Sequence, residues 1–217
     1  MVYFEKKYPA PASLKKCTSY SEEDVLNRLY DEFNHKCYIC ESKGIEAINI
    51  EHFVPHKKIN NIRKFNWSNL FWACSHCNQI KSDIEPLLNC TIKEDKVDIN
   101  IRYYIDDDLA TNKIIIEKLV DNIQTENTVK LLNNIYGGTT TTNKFQAGAK
   151  RNKLYDELCY FSMYIQQYTR TEDNKRKIQL LETIKYELSN ESAFTAFKRW
   201  IIRDNKALKS EFMDILE

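Results

Sequence analysis

The residues able to do chemistry crowd into one stretch of this chain. Two cysteine pairs, Cys37-Tyr-Ile-Cys40 and Cys74-Ser-His-Cys77, bracket the segment Ile50-Glu51-His52-Phe53-Val54-Pro55-His56, and the second pair runs straight into Asn78-Gln-Ile-Lys81-Ser-Asp83. A Cys-x2-Cys step turns two thiolates toward one ion, and two such steps complete the four-sulfur shell of a structural zinc site. The 33 residues between the pairs exceed the simplest ribbon spacing, but loop-closure entropy grows only slowly with length. The insert must then be folded itself, and it carries the Glu-His pair. Structural zinc contributes on the order of 10 kcal/mol of binding free energy, which becomes folding free energy. The rival reading is a disulfide or a set of unrelated buried thiols.

The elements that must position these residues follow from patterning. Ser21-Glu22-Glu23-Asp24 reads as an N-cap with an acidic first turn. Val25, Leu26, Leu29, Tyr30 and Phe33 then recur at helical spacing, which predicts a helix over 22–34 leading to the first cysteine pair. Residues 48–54 predict a short strand stopped by Pro55. A basic polar loop follows from Lys57 and Lys58 to Arg63 and Lys64, and Trp67 to Trp72 reads as a second strand or tight extended turn. Cys74 to Asp83 opens a short helix. Strand, strand and helix make a compact unit that a zinc ion can pin.

Around this unit, Tyr8-Pro9-Ala10-Pro11-Ala12 is a Pro-rich extended arm. Residues 97–105 predict a half-buried strand, Asp106 to Asp108 an acidic turn, and Ile114 to Ile116 either a partner strand or a helix start. A helix over Thr125–Tyr136 stops at Gly137-Gly138, and Thr139 to Thr142 reads as a linker. From about residue 149 the pattern is helical to the end, with apolar stripes at Leu154, Leu158, Phe161 and Ile165. The later stripes are Ile178, Leu181, Ile184 and Leu188, then Phe194, Phe197, Trp200 and Ile201, then Leu208, Phe212 and Ile215. The expected organisation is an arm and helix over 1–35, a zinc-pinned core over 36–90, a connecting α/β region over 91–143 and a helical region over 144–217.

Composition sets outer bounds. The chain has 217 residues with 32 basic and 31 acidic side chains, a formal net charge of +1. That balance neither argues for nucleic acid nor excludes a local basic face. Seven cysteines are an odd number, which disfavours a complete disulfide framework. Cys17, Cys90 and Cys159 are left over as ordinary, partly buried thiols. The opening Met1-Val-Tyr-Phe-Glu-Lys-Lys lacks the apolar core of a signal peptide, and no apolar run approaches the length of a membrane span. A cytoplasmic location, with no membrane partner, is the expectation.

His52 after Glu51, Asn69 within Trp67-Ser-Asn-Leu, and Asn78 after the second cysteine pair resemble the HNH, or ββα-metal, endonuclease motif in its H-N-N form, with the flanking cysteines of the zinc-bound subset. The resemblance covers residues 36–83. It implies an α+β, mainly helical protein: a zinc-pinned ββα-metal core with a helical C-terminal region. It also implies hydrolysis of nucleic-acid phosphodiesters with a catalytic Mg2+ or Mn2+ beside the structural zinc. Such hydrolysis needs an activated water, charge compensation at the phosphate and help for the leaving oxygen. His52 is the sensible general base, because neutral imidazole titrates near working pH. Glu51 and Asn78 resemble the family's ligands for the catalytic metal, and Asn69 resembles the central Asn that holds the loop and orients the base. Lys81, one turn past Asn78, is expected at a phosphate, and His56 as a further metal ligand or phosphate contact. His35 and His76 read as structural or exposed, and Trp67, Phe71 and Trp72 as core packing more than base-stacking platforms.

A closer resemblance is to the PtuB group, the HNH components of Septu and retron-associated anti-phage systems. It is carried by Lys6-Lys7-Tyr-Pro9, the Glu-His-x-x-Pro-His stretch and the Leu70-Phe-Trp-Ala-Cys-x-x-Cys-Asn-x-x-Lys-Ser-Asp83 line. Val129-Lys-Leu-Leu-Asn133 and Arg151 agree in layout. That resemblance implies a PtuA-like ATPase partner and, in a retron setting, a reverse transcriptase with its DNA–RNA product. The helical tail and the Pro-rich arm are the surfaces assigned to such a partner. The substrate is left open between DNA and a structured RNA such as a tRNA. The rival functional class is a non-catalytic, zinc-stabilised nucleic-acid- or partner-binding subunit.

Overall fold

A computed structural model describes residues 1–45, 47–57, 60–106 and 113–216. Lys58 of the expected basic loop, and Asp107 and Asp108 of the expected acidic turn, lie outside the described residues. Helix α1 (Glu23–Glu32) buries Val25 and Leu29 and carries Glu23 and Asp24 in its first turn. Ser21 does not cap it: the N-cap is Glu22, with no side-chain bond.

Strands β1 (Ile48–His52) and β2 (Leu70–Cys74) pair antiparallel, with Ile48 opposite Cys74 and His52 opposite Leu70. Between them lie helix α2 (Asn61–Phe65), capped by the Asn60 side chain, and a 3-10 turn over Trp67–Asn69. The run from Trp67 to Trp72 is therefore divided between turn and strand. The divider is Asn66, whose side-chain oxygen accepts from the backbone N–H of Ser68 at 3.0 Å and closes the turn. Helix α3 (Ser75–Lys81) follows β2 without a loop. The hairpin thus carries Cys74 at one end and His52 at the other, about 13 Å apart at the usual rise per strand residue.

Strands β3 (Ile101–Ile105) and β4 (Ile114–Lys118) form a second antiparallel pair. The expected strand over 97–105 loses its first four positions, because the N–H groups of Ile99 and Asn100 both turn back to the carbonyl of Lys96. Helix α4 (Ile123–Gly137) is capped by Asn122, and helix α5 (Thr141–Arg170) by Thr140. The second half of the expected linker over 139–142 is the start of α5, since Thr140 accepts from the N–H of Asn143 and caps the helix there. Gly138 is required between the two helices. It sits at φ 76°, and a Cβ on it would fall 2.6 Å from Cα of Lys144.

Helices α6 (Asn174–Leu188), α7 (Thr195–Asp204), α8 (Lys206–Glu211) and α9 (Met213–Leu216) complete the chain. In α6 the buried stripe is Leu180, Ile184 and Leu188, while Ile178 faces solvent. The single short last helix expected from Leu208, Phe212 and Ile215 is two, broken at Phe212. None of these helices is long and apolar enough to cross a membrane.

One hydrophobic cluster runs from Met1, Val2 and Phe4 through the β1–β2 hairpin to Phe197, and a second joins Phe161, Ile184 and Phe212. Residues 1–4 are therefore part of the core, while Tyr8 of the Pro-rich stretch stays exposed. The Met1 α-amino group lies 2.9 Å from Glu41 Oε1, and Phe4 donates its N–H to the Cys90 carbonyl. Beyond it, Arg28 donates to the carbonyls of Lys7 and Pro9 and straps the arm to α1. Trp67, Phe71 and Trp72 are buried, as core packing requires. Cys90 is buried, but Cys17 and Cys159 are exposed. Asp98, before β3, receives Arg199 at 2.9 Å and Arg203 at 3.0 Å and so ties α7 to the centre of the molecule.

Candidate functional site

Cys37, Cys40, Cys74 and Cys77 converge as expected. Their four sulfurs lie within 4.8 Å of one another and all four residues are buried. A tetrahedral site with Zn–S bonds of about 2.3 Å needs sulfurs about 3.8 Å apart, and Cys40 Sγ stands 4.0 Å from Cys74 Sγ. The donor set and spacing fit zinc. Two local features bring the pairs together: the Tyr38 N–H donates to the Trp72 carbonyl, and the Glu41 N–H closes a turn on the Cys37 carbonyl. Lys150, on α5, places its ammonium 3.0 Å from Cys40 Sγ and 3.6 Å from Cys74 Sγ. Four thiolates around Zn2+ carry a net charge of −2, so a buried cation at their edge is electrostatically favourable.

His52 ends β1 and is largely buried. Nε2 lies 3.0 Å from the Lys64 carbonyl oxygen. A carbonyl only accepts, so Nε2 carries the proton and the Nδ1 lone pair is left for another partner. Burial lowers the imidazole pKa below its ordinary value; the Lys64 carbonyl opposes this, and the charges of His56, Lys81 and Lys64 add to it. At neutral pH the ring is a neutral base. Tyr20 meets it edge-on at 4.8 Å and His56 at 4.4 Å.

Asn69 explains why the Lys64 carbonyl is where it is. Its side-chain oxygen accepts from the Val54 N–H at 2.7 Å, and its amide donates to the carbonyls of Val54 at 2.9 Å and Arg63 at 3.0 Å. One buried amide therefore holds both ends of the segment that leaves β1 and returns toward β2.

Glu51 and Lys81 hold a surprise. Lys81 was expected at a phosphate; instead it is fully buried, its Nζ 2.6 Å from Glu51 Oε1 and 3.2 Å from the His52 carbonyl. It braces the end of β1 from α3. Burial pushes the Glu51 carboxyl upward, and the Lys81 ammonium pulls it back. Glu51 thus faces α3, whereas His52 faces Lys64 and Tyr20. Asn78 is half-buried three residues before Lys81, which puts it on the same face of α3. Among the described residues, the four cysteines form the one group of three or more His, Cys, Asp or Glu ligands. A second metal beside Glu51 would take few protein donors and complete its shell with water and phosphate oxygens, as Mg2+ prefers.

The other histidines are structural or exposed, as expected. His76 is buried between the Gln146 side chain and the Ile135 carbonyl, and His35 stacks on Tyr30. Sequence reasoning missed Tyr20 and Lys150. Neither stands in a motif, and each reaches the site only through tertiary packing.

Residues 37–83 match the family model described as HNH endonuclease. The match spans both cysteine pairs, Glu51, His52, Asn69 and Asn78. No curated protein matches the chain, and no solved structure does.

Proposed function

We propose that the chain is a metal-dependent HNH endonuclease that hydrolyses nucleic-acid phosphodiester bonds, with His52 as general base. The observation that carries this reading is the Nε2 contact of His52 with the Lys64 carbonyl, which leaves a neutral imidazole nitrogen ready to accept a proton. His52 Nδ1 takes the proton of the attacking water. Asn69 fixes the loop that sets the tautomer. Glu51 and Asn78 are the donors that would hold a catalytic Mg2+ or Mn2+, with His56, on the His52 side, as the further ligand or phosphate contact; the ion when bound would compensate the phosphate charge and the leaving oxygen. Lys81 acts through Glu51 and not on a phosphate. The zinc cluster fixes the hairpin that carries His52.

The defence role belongs to the same proposal. Resemblance to the PtuB group supports an effector nuclease controlled by a PtuA-like ATPase, in some settings beside a reverse transcriptase and its DNA–RNA product. One observation favours a second reading, a zinc-stabilised binding subunit without catalysis: the Glu51 carboxylate already has a buried cationic partner. A cleavage assay separates the two. Zinc-loaded protein is incubated with supercoiled plasmid, single-stranded DNA and folded RNA, with and without added Mg2+ or Mn2+. The nuclease reading expects cleavage of one of these substrates only with the added ion. Binding without cleavage under every ion favours the second reading.

A further inference from the structure

We propose that a pocket beside the catalytic loop, closed by the N-terminal arm, seats one unstacked nucleotide of a single-stranded stretch of substrate. The inference rests on the nuclease reading and names what that site engages next to the bond it cuts. The cavity has a volume of about 500 Å³, within the usual range for sites that take one small ligand. Tyr3 and Tyr8 of the arm form one wall, Phe53 and Arg63 come from the catalytic loop, and Asn66 and Asn89 supply amides.

The chemistry selects the ligand. Among the described residues no carboxylate lines this cavity, in a chain with 31 acidic side chains. In the larger cavity near α5 and α7, about 860 Å³, the lining cation Arg102 is already paired with Asp204 and Asp106 lies beside them, which suits a polyanion poorly. Arg63 is exposed at the pocket and can meet a phosphate. Tyr8 is 65 % exposed, an open aromatic face on which any base can stack. Asn66 spends its side-chain oxygen on Ser68, and Asn89 spends its own on Thr91. What each amide has left is its NH2, a donor for base carbonyls or phosphate oxygens.

Placement ties the pocket to the chemistry. Val54 and Asn69 line it; they are the two residues joined by the loop-holding hydrogen bonds, two positions after His52 and beside the turn that presents the Lys64 carbonyl. A nucleotide here would neighbour the phosphate offered to His52. The wall is also held in advance. Lys6 Nζ donates to the carbonyls of Trp67 and Leu70, both at 2.6 Å, and Arg28 holds the backbone of Lys7 and Pro9. Little ordering remains to be done on binding. A base must leave its stack to enter such a cavity, so single strands are preferred to intact duplex.

The test is binding of short fluorescein-labelled oligo(dT) and oligo(U) strands and a blunt hairpin duplex to zinc-loaded protein, without added Mg2+ or Mn2+, followed by anisotropy. Either strand is expected to outcompete the hairpin, and the better strand shows whether deoxyribose or ribose is preferred. Tyr8→Ala and Arg63→Ala should each weaken that binding about fivefold or more. Ultraviolet cross-linking of 5-iodouracil-substituted strands, mapped by peptide mass, is expected to mark Tyr3 or Tyr8. Unchanged affinity in both variants together with cross-links elsewhere would overturn the proposal, as would hairpin binding tighter than either strand. Wild-type protein that shows the expected binding pattern yet never cuts would contradict the nuclease reading and leave the pocket standing.

Discussion

The ammonium of Lys81 lies 2.6 Å from Oε1 of Glu51, with Lys81 fully buried and Glu51 nearly so. A lysine three residues past Asn78 therefore neutralises the Glu51 carboxylate and, through the His52 carbonyl, fixes the end of β1. Removing one member of a buried pair strands the other charge, at a cost of about 3–5 kcal/mol. Lys81→Met should destabilise the protein by that order, and adding Glu51→Gln should recover part of the loss. Urea unfolding of the two single variants and the double variant checks this. Additive losses would show that the pair is not coupled.

Asn69 makes three hydrogen bonds whose polarity is fixed by the backbone groups it meets: one accepted from an N–H and two donated to carbonyls. Asn69→Ala is expected to cost about 1–3 kcal/mol. Asn69→Asp should be at least as harmful, because a carboxylate oxygen would face the Val54 and Arg63 carbonyls. Thermal melts of both variants, with substrate cutting as a second readout, test the assignment. An Asp variant as stable as wild type would contradict it.

Lys150 reaches the four-cysteine cluster from a helix more than 70 residues away in sequence from its last member. Lys150→Ala should leave four sulfurs able to bind the ion but speed its loss to a chelator, whereas Cys77→Ser should lower zinc content and melting temperature together. Zinc release followed with a colorimetric indicator separates these effects. Equal release from wild type and Lys150→Ala would leave Lys150 with no role at the cluster.

Burial lowers the Lys6 ammonium to about 7, with Glu32 pulling it back. Between that value and its ordinary 10.5, the native state has shed a proton that the unfolded chain keeps. The unfolded chain binds more protons, so Lys6 makes stability rise as pH rises through this window, and below it the full cost of the buried charge is felt. Its two carbonyl partners and the Trp67 ring, 3.6 Å away, favour the ammonium and make the rise smaller than burial alone would give. Urea unfolding of wild type and Lys6→Met across the window should show a steeper rise in wild type; parallel curves would contradict it.

The ββα unit was legible because its signals are local. Paired Cys-x2-Cys steps, an Ile-rich run and apolar spacing before the first cysteine each act over a few residues; the strand ends at His52 and not at Pro55, because the Asn69 side chain takes the Val54 N–H. The α5 start was not legible because Thr140 caps a helix whose first turn is polar, so the apolar stripe from Leu154 onward could not reveal it. The burial of residues 1–4 was not legible because a few apolar residues near a chain start carry no period; Glu41, Tyr103 and Cys90, distant in sequence, draw Met1 and Phe4 inward. Lys81 was assigned to phosphate because a lysine one turn past a ligand position reads as exposed. The buried Glu51 carboxylate changes that outcome: strand alternation turns it away from the His52 side and toward α3, where Lys81 meets it.

The most direct measurement compares wild type with His52→Ala, both purified with matched zinc content and melting temperature, on whichever nucleic acid the wild type cuts in Mg2+ or Mn2+. If the imidazole is the base, the variant loses cutting by about a hundredfold or more while its zinc and stability stay unchanged. Equal cutting by the two proteins would contradict the assignment of catalysis to this site.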